Sequence, residues 1–337
     1  MLRWYELDAT GKRLWNRCHD QDPKGLGKAL ALDCPIPTPT GWTTMSDIVV
    51  GDMVLDDRRH PTRVLGVSEV MSDRECYAVT FDDGQVITAD ASHLWETDMR
   101  HSPYAKHGDA IRGTHHAGPG AWRHAIRTTA DIAATLRYSN GRYQSANHSV
   151  RLAGPLHLDD VLLPIEPYTL GVWLGDGDSD CARITMGDQD AAAMTRELVA
   201  VGTAVGERKR TNAAGRYTIG SDPRPGQSLR TAFRLAGLLG HKHIPGAYLR
   251  ASYPQRLAVL QGLMDTDGHI SPRTGTCELS LSNHDLASGA HELILSLGIK
   301  AAMHEGRMTL AGLDVGPRWR IAFHPPPLAR CSGWNAR

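Results

Sequence analysis

The apolar positions of the chain follow two different periods. From Cys34 to about residue 98 they fall in short alternating runs, DIVVGDMVLDD, TRVLGVSEV, CYAVTFDDG and QVITADASHLW, separated by Gly-Asp and Asp-Gly pairs. A period of two, rich in Val, Ile and Thr and cut by turn residues, predicts short strands in a small all-β unit. Residues 99–125, rich in His, Gly and Arg, predict a loop. A helix is expected next, with Thr129 as N-cap and Ile132 and Leu136 on its apolar side. The Pro-marked stretch LLPIEPY (162–168) predicts a linker.

Beyond Tyr168 the spacing lengthens. TLGVWLGDG (169–177), SLRTAFRLAGLL, RLAVLQGLMDTDG and DLASGAHELILSLG predict helices, as does DAAAMTRELVAVG from Asp188 or Asp190 onward. ARITMG, GRYTIGS and HISPRTGTCELSLS read as strands between them. The final FHPPPLARCSGWNAR has no periodicity and reads as an irregular tail.

Composition adds bounds. With 337 residues, 41% of them apolar, the chain can bury the cores of two compact domains, and global disorder is excluded. Lys+Arg and Asp+Glu balance at 37 each, so any surface for nucleic acid must come from local clustering. The opening MLRWYELDAT is no basic-then-apolar leader, and no apolar run approaches membrane-spanning length. A cytoplasmic monomer of bacterial or phage origin with no membrane partner is expected. Six cysteines without a CxxC pair read as reduced thiols.

The chemistry lies in a repetition. TLGVWLGDG (169–177) and LQGLMDTDG (260–268) are both short apolar helices with small residues four apart, Gly171 and Gly175 in one, Gly262 and Thr266 in the other. Small residues at that spacing share one face and let two backbones approach closely. Each segment ends in Asp-Gly, where glycine can take the left-handed conformation that terminates a helix. Crossing the two helices would set Asp176 and Asp267 side by side at the negative ends of two dipoles. A hard divalent cation, Mg2+ or Mn2+, relieves that repulsion and can activate water against a phosphate. An EF-hand reading of DGDSDCARITMG fails, because Cys181 and Gly187 occupy the positions that need Gly and Glu.

This pair resembles the two dodecapeptide motifs of single-chain LAGLIDADG homing endonucleases. HKHIPGAYLRAS, leading into RLAVLQGLMDTDG, is similar to the family's lysine-containing block, and HELILSLGIK to the helix closing its second half. The resemblance implies a pseudo-symmetric αββαββα domain whose β-saddle lies in the DNA major groove and cuts both strands of a long recognition site. It makes Asp176 and Asp267 catalytic metal ligands and sets Lys242 near the scissile phosphate. Arg208, Lys209, Arg210, Arg216, Arg250, Arg256 and Arg273 are candidate phosphate contacts.

CPIPTPTGWTTMSDIVVGDMVLD, from Cys34, and GQVITADASHLW resemble the opening blocks of an intein, a protein-splicing element of the Hint class. The resemblance implies attack of the Cys34 thiol on the Asp33 carbonyl, with His93 protonating the departing nitrogen and Asp90 nearby, where many inteins carry threonine. No His-Asn dipeptide occurs, and Asn335 stands between Trp334 and Ala336. Self-splicing is therefore not expected, although a C-terminal half in trans could complete the unit. DPKGLGKAL (22–30) lacks the hydroxyl of a phosphate loop, since Ala29 follows Lys28. Residues 1–33 are similar to the start of a phage terminase and would be host sequence.

The expected fold class is thus mixed. Residues 1–33 form the host fragment, 34–160 an incomplete all-β Hint-like unit, 165–323 an α+β pseudo-symmetric LAGLIDADG domain and 324–337 the tail. The expected function is a metal-dependent DNA double-strand endonuclease, with self-cleavage at Asp33–Cys34. A silent DNA-binding relic and an autoprocessing module without nuclease activity are the alternatives.

Overall fold

A computed structural model describes residues 29–56, 58–100, 122–139, 144–211, 214–221, 228–310 and 313–324. The phosphate-loop-like and terminase-like stub, the His-rich stretch 101–121 and the tail from residue 325 lie outside these. The chain divides into two units at Ala153/Gly154.

The first unit is built from antiparallel pairs. β1 (Pro35–Thr38) pairs with β2 (Gly41–Thr44), β3 (Met53–Leu55) with β4 (Pro61–Arg63), and β5 (Cys76–Thr80) with β6 (Val86–Asp90). β7 (Leu94–Arg100) lies between β8 (Trp122–Thr128) and β11 (His148–Val150). α1 (Thr129–Ala134) follows β8, and β9 (Arg137–Ser139) pairs with β10 (Gln144–Ala146). Its apolar interior is two small clusters, Leu30, Cys34, Ala89 and Trp95 in one, Ile36, Ile48, Val54 and Val64 in the other. Two expectations shift here. The loop expected over 99–125 gives way to strand through Arg100 and from Trp122, and α1 is capped by Thr128, one residue early. Thr128 and Asp131 satisfy each other's amides as a capping box, which leaves Thr129 free to accept from the Trp95 indole at 2.8 Å. Leu136 lies beyond the helix and is exposed.

The second unit repeats a helix–strand–helix–strand theme. The first pass is α2 (Pro167–Asp176), β12 (Arg183–Gly187), α3 (Ala191–Ala200), β13 (Thr203–Val205), β14 (Lys209–Thr211), β15 (Ala214–Ser221) and α4 (Leu229–Leu235). After the short α5 (Gly246–Leu249), which the sequence pattern did not suggest, the second pass is α6 (Tyr253–Asp267), β16 (Gly268–Ile270), β17 (Cys277–Leu281), α7 (His284–Ser296), β18 (Ala301–Leu310) and β19 (Leu313–Phe323). β15 is the centre of the first sheet, and the second runs β16-β17-β19-β18, all antiparallel. One apolar core joins both passes, with α2 buried from Tyr168 to Leu174. The molecule is therefore an all-β unit followed by a pseudo-repeated α+β unit.

The stretch 162–168 is no free linker. Ile165 is buried and its backbone exchanges hydrogen bonds with the Tyr248 hydroxyl, which accepts from the amide at 2.9 Å and donates to the carbonyl at 2.7 Å. Pro167 sits in the first turn of α2, where its missing amide hydrogen costs no helical bond. No helix among the described residues is long and apolar enough to cross a membrane.

Candidate functional site

α2 and α6 cross through Gly171, Gly175, Gly262 and Thr266. A β-carbon on Gly171 would stand 2.2 Å from the Val259 carbonyl oxygen, and one on Gly262 2.3 Å from that of Tyr168. On Gly175 it would meet Thr266 Oγ1 at 2.0 Å, with Asp267 Oδ2 at 3.3 Å. Backbone-to-backbone contact of this kind is open only to glycine, and it carries the two helices together to their acidic ends. Across the same crossing, the Tyr168 hydroxyl donates to Asp265 Oδ2 at 2.9 Å.

The glycines behind the acids have a different role from the one expected. Gly177 and Gly268 lie at φ −80° and −88°, in extended backbone, not in the left-handed region. From α6 the chain passes straight into β16 at Gly268, and after α2 Gly177 forms a single antiparallel bridge to Ile184 before the turn that leads into β12. What excludes a side chain is space, because a β-carbon would lie 2.3 Å from the Trp173 carbonyl oxygen in one case and from that of Met264 in the other. Helix-ending glycines in the left-handed region follow other helices, Gly202 after α3, Gly237 after α4 and Gly298 after α7.

Asp176 and Asp267 sit half-buried where these helices end. Burial, then the charge of Asp176, pushes the Asp267 carboxyl up to about 6. Burial raises Asp176 too, opposed by Lys242 and reinforced by Asp190. Lys242 comes from the segment before α5. Its Nζ donates to the Gly175 and Gly177 carbonyl oxygens at 3.0 and 2.7 Å and lies 5.2 Å from the Trp173 ring centroid. Burial lowers its pKa, against the pull of Asp267, Asp176 and Asp178.

Sequence reasoning missed two neighbours of this place. Asn283 donates from Nδ2 to the Lys242 carbonyl at 2.9 Å, and Asp285 Oδ2 lies 2.7 Å from His241 Nε2. Just beyond α2, ligand atoms of Asp178, Asp180 and Cys181 fall within 4.8 Å of one another. Arg183 Nε already supplies positive charge there, 3.1 Å from Asp178 Oδ2 and 3.0 Å from the Cys181 sulfur.

The candidate phosphate contacts divide. Arg208, Lys209, Arg216 and Arg273 are exposed, with Arg208 ion-paired to Asp188. Lys209 and Arg216 are direct partners across β14 and β15, and Arg210 is the neighbouring strand position. Two expectations fail. Arg250 turns inward, its side chain 8% exposed and 2.8 Å from Glu292. Arg256 is fully buried, donating to the Ala251, Ser296 and Leu156 carbonyls and to Ser296 Oγ, and desolvation lowers it to about 10. A guanidinium inside the core cannot meet a phosphate.

In the first unit, residues 29–31 run beside β6: Leu30 bridges Ala89, the Ala31 amide donates to the Thr88 carbonyl, and the Asp90 amide donates to the Ala29 carbonyl. This register brings the Asp33–Cys34 junction alongside the strand that leads to Asp90 and His93. Cys34 is buried, and its thiol is pushed up to about 11, by desolvation first and Asp33 second. His93 is buried edge-on against Trp95, with ring centroids 5.0 Å apart. Asp90 is held as an anion. Arg74 donates to it from Nε at 2.6 Å and Nη2 at 2.9 Å, and Ser92 from its amide at 2.8 Å. These bonds, the Arg74 bond foremost, keep its carboxyl well below the usual carboxylate range. Arg74 carried no signal in the sequence, because its partner is sixteen residues away, at the end of β6.

Residues 254–317 match the model of the LAGLIDADG-like domain. The chain is 42% identical over 276 residues, 82% of its length, to a replicative DNA helicase DnaB of Mycobacterium intracellulare, of which it covers 43%. With the DnaB of Mycobacterium leprae it shares 50% identity over 115 residues, 33% of this chain and 18% of that one. The chain thus spans less than half the length of these relatives, which bear a helicase's name where residues 1–33 had suggested a terminase. Among solved structures it is similar to the MchDnaB-1 intein, 38% identical over 36% of this chain and 78% of that one, TM-score 0.22. It is also similar to variants of the homing endonuclease I-DmoI, 13% identical over 48% of this chain and 88% of that one, TM-score 0.31.

Proposed function

We propose, for a chain that carries a LAGLIDADG-like domain at residues 254–317, that the second unit is a site-specific DNA endonuclease. The reading rests on one observation: glycine-to-backbone contact between α2 and α6 draws the half-buried carboxyls of Asp176 and Asp267 near enough for each other's charge to be felt. Two carboxylates at the carbonyl ends of two helices, one pushed up by burial and by the other's charge, form an oxygen-only, electron-rich place. It suits a hard divalent cation such as Mg2+ or Mn2+. Asp176 and Asp267 would hold the cation, which when bound supplies Lewis acidity toward a phosphate and a more acidic water.

The residues of the chain do the remainder. Lys242 brings a positive charge to the end of α2, fixed by two carbonyls, so that it faces charge developing on a phosphate without having to reorganise. Lys209 opposite Arg216 is an unfavourable pair in isolation, and a phosphate backbone laid over the first sheet would offset it. Double-stranded DNA is thus the partner this unit suits. We further infer that the chain corresponds to an insertion element within a DnaB-type host.

The test is cleavage of a supercoiled plasmid carrying an uninterrupted DnaB-type gene, with Mg2+ present. Linear product is expected from the wild type and none from Asp176→Ala or Asp267→Ala. Tight, specific binding without any nicking would instead identify a DNA-binding relic.

For the first unit we propose thioester formation at Cys34, with cleavage after Asp33. Burial of the thiol means that a base must take its proton as it attacks, and His93, buried three residues beyond Asp90, would be that base. Incubation of the full chain with a thiol should release residues 1–33, and Cys34→Ala should abolish the release. A chain left intact by thiol would remove this second activity.

A further inference from the structure

Lys242 is the one lysine between α4 and the end of α6, and its backbone is seated from outside its own segment. The segment 241–244 lies along the first two turns of α7. Asp285 Oδ2 meets His241 Nε2 at 2.7 Å, Asn283 Nδ2 donates to the Lys242 carbonyl at 2.9 Å, and a β-carbon on Gly289 would touch Ile244 Cβ at 3.3 Å. Asn283 does two jobs. Its Oδ1 caps α7 by accepting from the amides of Asp285 and Leu286 at 2.9 and 3.3 Å, while its amide nitrogen holds residue 242. From that seat the lysine side chain crosses to α2, in the other pass of the repeat, and ends on the Gly175 and Gly177 carbonyls.

We propose that Asn283 is a positioning residue for the nuclease: it fixes the backbone of Lys242 on α7, so that the ammonium group is presented to the acidic end of α2. The proposal rests on the reading of Asp176 and Asp267 given above. One amide side chain thus ties the cationic element of the site to the helix cap of the second pass. A misplacement of about 1 Å is enough to cost a large part of a rate.

Asn283→Asp separates the two jobs. A carboxylate still accepts from the Asp285 and Leu286 amides but has no hydrogen to give the Lys242 carbonyl. With the full chain, the host-gene plasmid and Mg2+, kcat should fall about tenfold while KM stays within about twofold. In a Lys242→Ala background the same substitution should cost nothing further, whereas general loosening would lower the rate in both backgrounds. A second measurement needs no cleavage. In acylation by an N-hydroxysuccinimide ester, followed by mass spectrometry, Lys242 should react more slowly than exposed Lys209, and Asn283→Asp should speed Lys242 alone. Unchanged acylation of Lys242 overturns the positioning. An unchanged kcat, or additive losses with Lys242→Ala, overturns its role in catalysis. A wild type that never cuts, with Lys242 still exposed by Asn283→Asp, removes the nuclease reading and upholds the seat.

Discussion

Gly171 and Val259 are in direct backbone contact: a β-carbon on the glycine would stand 2.2 Å from the valine carbonyl oxygen. No rotamer relieves such a clash, because both partners are main chain and both belong to the rods that form the centre of the core. Gly262 is in the same position against Tyr168.

Gly171→Ala should therefore force α2 and α6 apart, at a cost of about 1–3 kcal/mol as in other overpacked cores. Thermal unfolding would show a drop of several degrees. Plasmid cleavage should fall more than stability does, because Asp176 and Asp267 move with their helices. A variant as stable as wild type would mean that the helices do not meet as described.

Asp267 makes a prediction about pH. Its folded pKa is raised, to about 6, so ionising it costs folded-state stability. The penalty is absent below the unfolded carboxylate value near pH 4, grows as pH rises, and is complete above about 6. Without divalent cation, Asp267→Asn should stabilise the protein by about 1–2 kcal/mol at pH 7 after allowance for partial solvation, and by nothing at pH 4. Mg2+ should raise the melting temperature of wild type at pH 7 and leave Asp267→Asn unmoved. Equal stabilisation by Mg2+ in both proteins would place the cation elsewhere.

How much of this was legible beforehand depends on where the information lies. The matched small-residue spacing in TLGVWLGDG and LQGLMDTDG shows in one dimension because helix faces repeat every three to four residues. The function of Gly177 and Gly268 did not, since a helix running straight into extended backbone and a helix turning through a left-handed residue can both end in Asp-Gly. Arg250 and Arg256 looked like surface cations for a similar reason. Nothing local announces that Glu292 or the carbonyls of Leu156 and Ser296 lie against them. Asn283 and Arg74 were silent because each acts on a partner distant in sequence.

Arg74 and Asp90 provide an acid-side test in the first unit. Asp90 is buried, and the Arg74 hydrogen bond holds its pKa below normal, so the pair stabilises the fold above the unfolded carboxylate value. That stability is lost as pH falls below about 4. Arg74→Ala leaves a buried carboxylate with only Ser92, which should lower the urea-unfolding midpoint at pH 7. The loss should shrink steadily toward pH 3, as read from urea unfolding at several pH values. A constant loss across that range would mean that packing, not charge, links the two residues. Release of residues 1–33 should slow as well if Asp90 orders the turn that carries His93.

Arg216 and Arg256 are both arginines of the second unit, and the structure assigns them opposite fates. Arg216 is exposed and directly opposite Lys209, so removing it relieves a like-charge pair and should leave stability unchanged or slightly raised. If it contacts a phosphate, Arg216→Ala weakens DNA binding on every sequence alike and reduces the slope of log K against log salt by about 1. Arg256 is fully buried and serves only carbonyls and a hydroxyl, so its loss strands acceptors at the end of α7 and at Leu156. Arg256→Ala should destabilise by about 3 kcal/mol or more, and Arg256→Lys should not rescue it, because an ammonium cannot reproduce the planar fork. In whatever fraction stays folded, the salt dependence of DNA binding should equal that of wild type. A reduced slope for Arg256→Lys would mean that this guanidinium leaves the core to meet DNA.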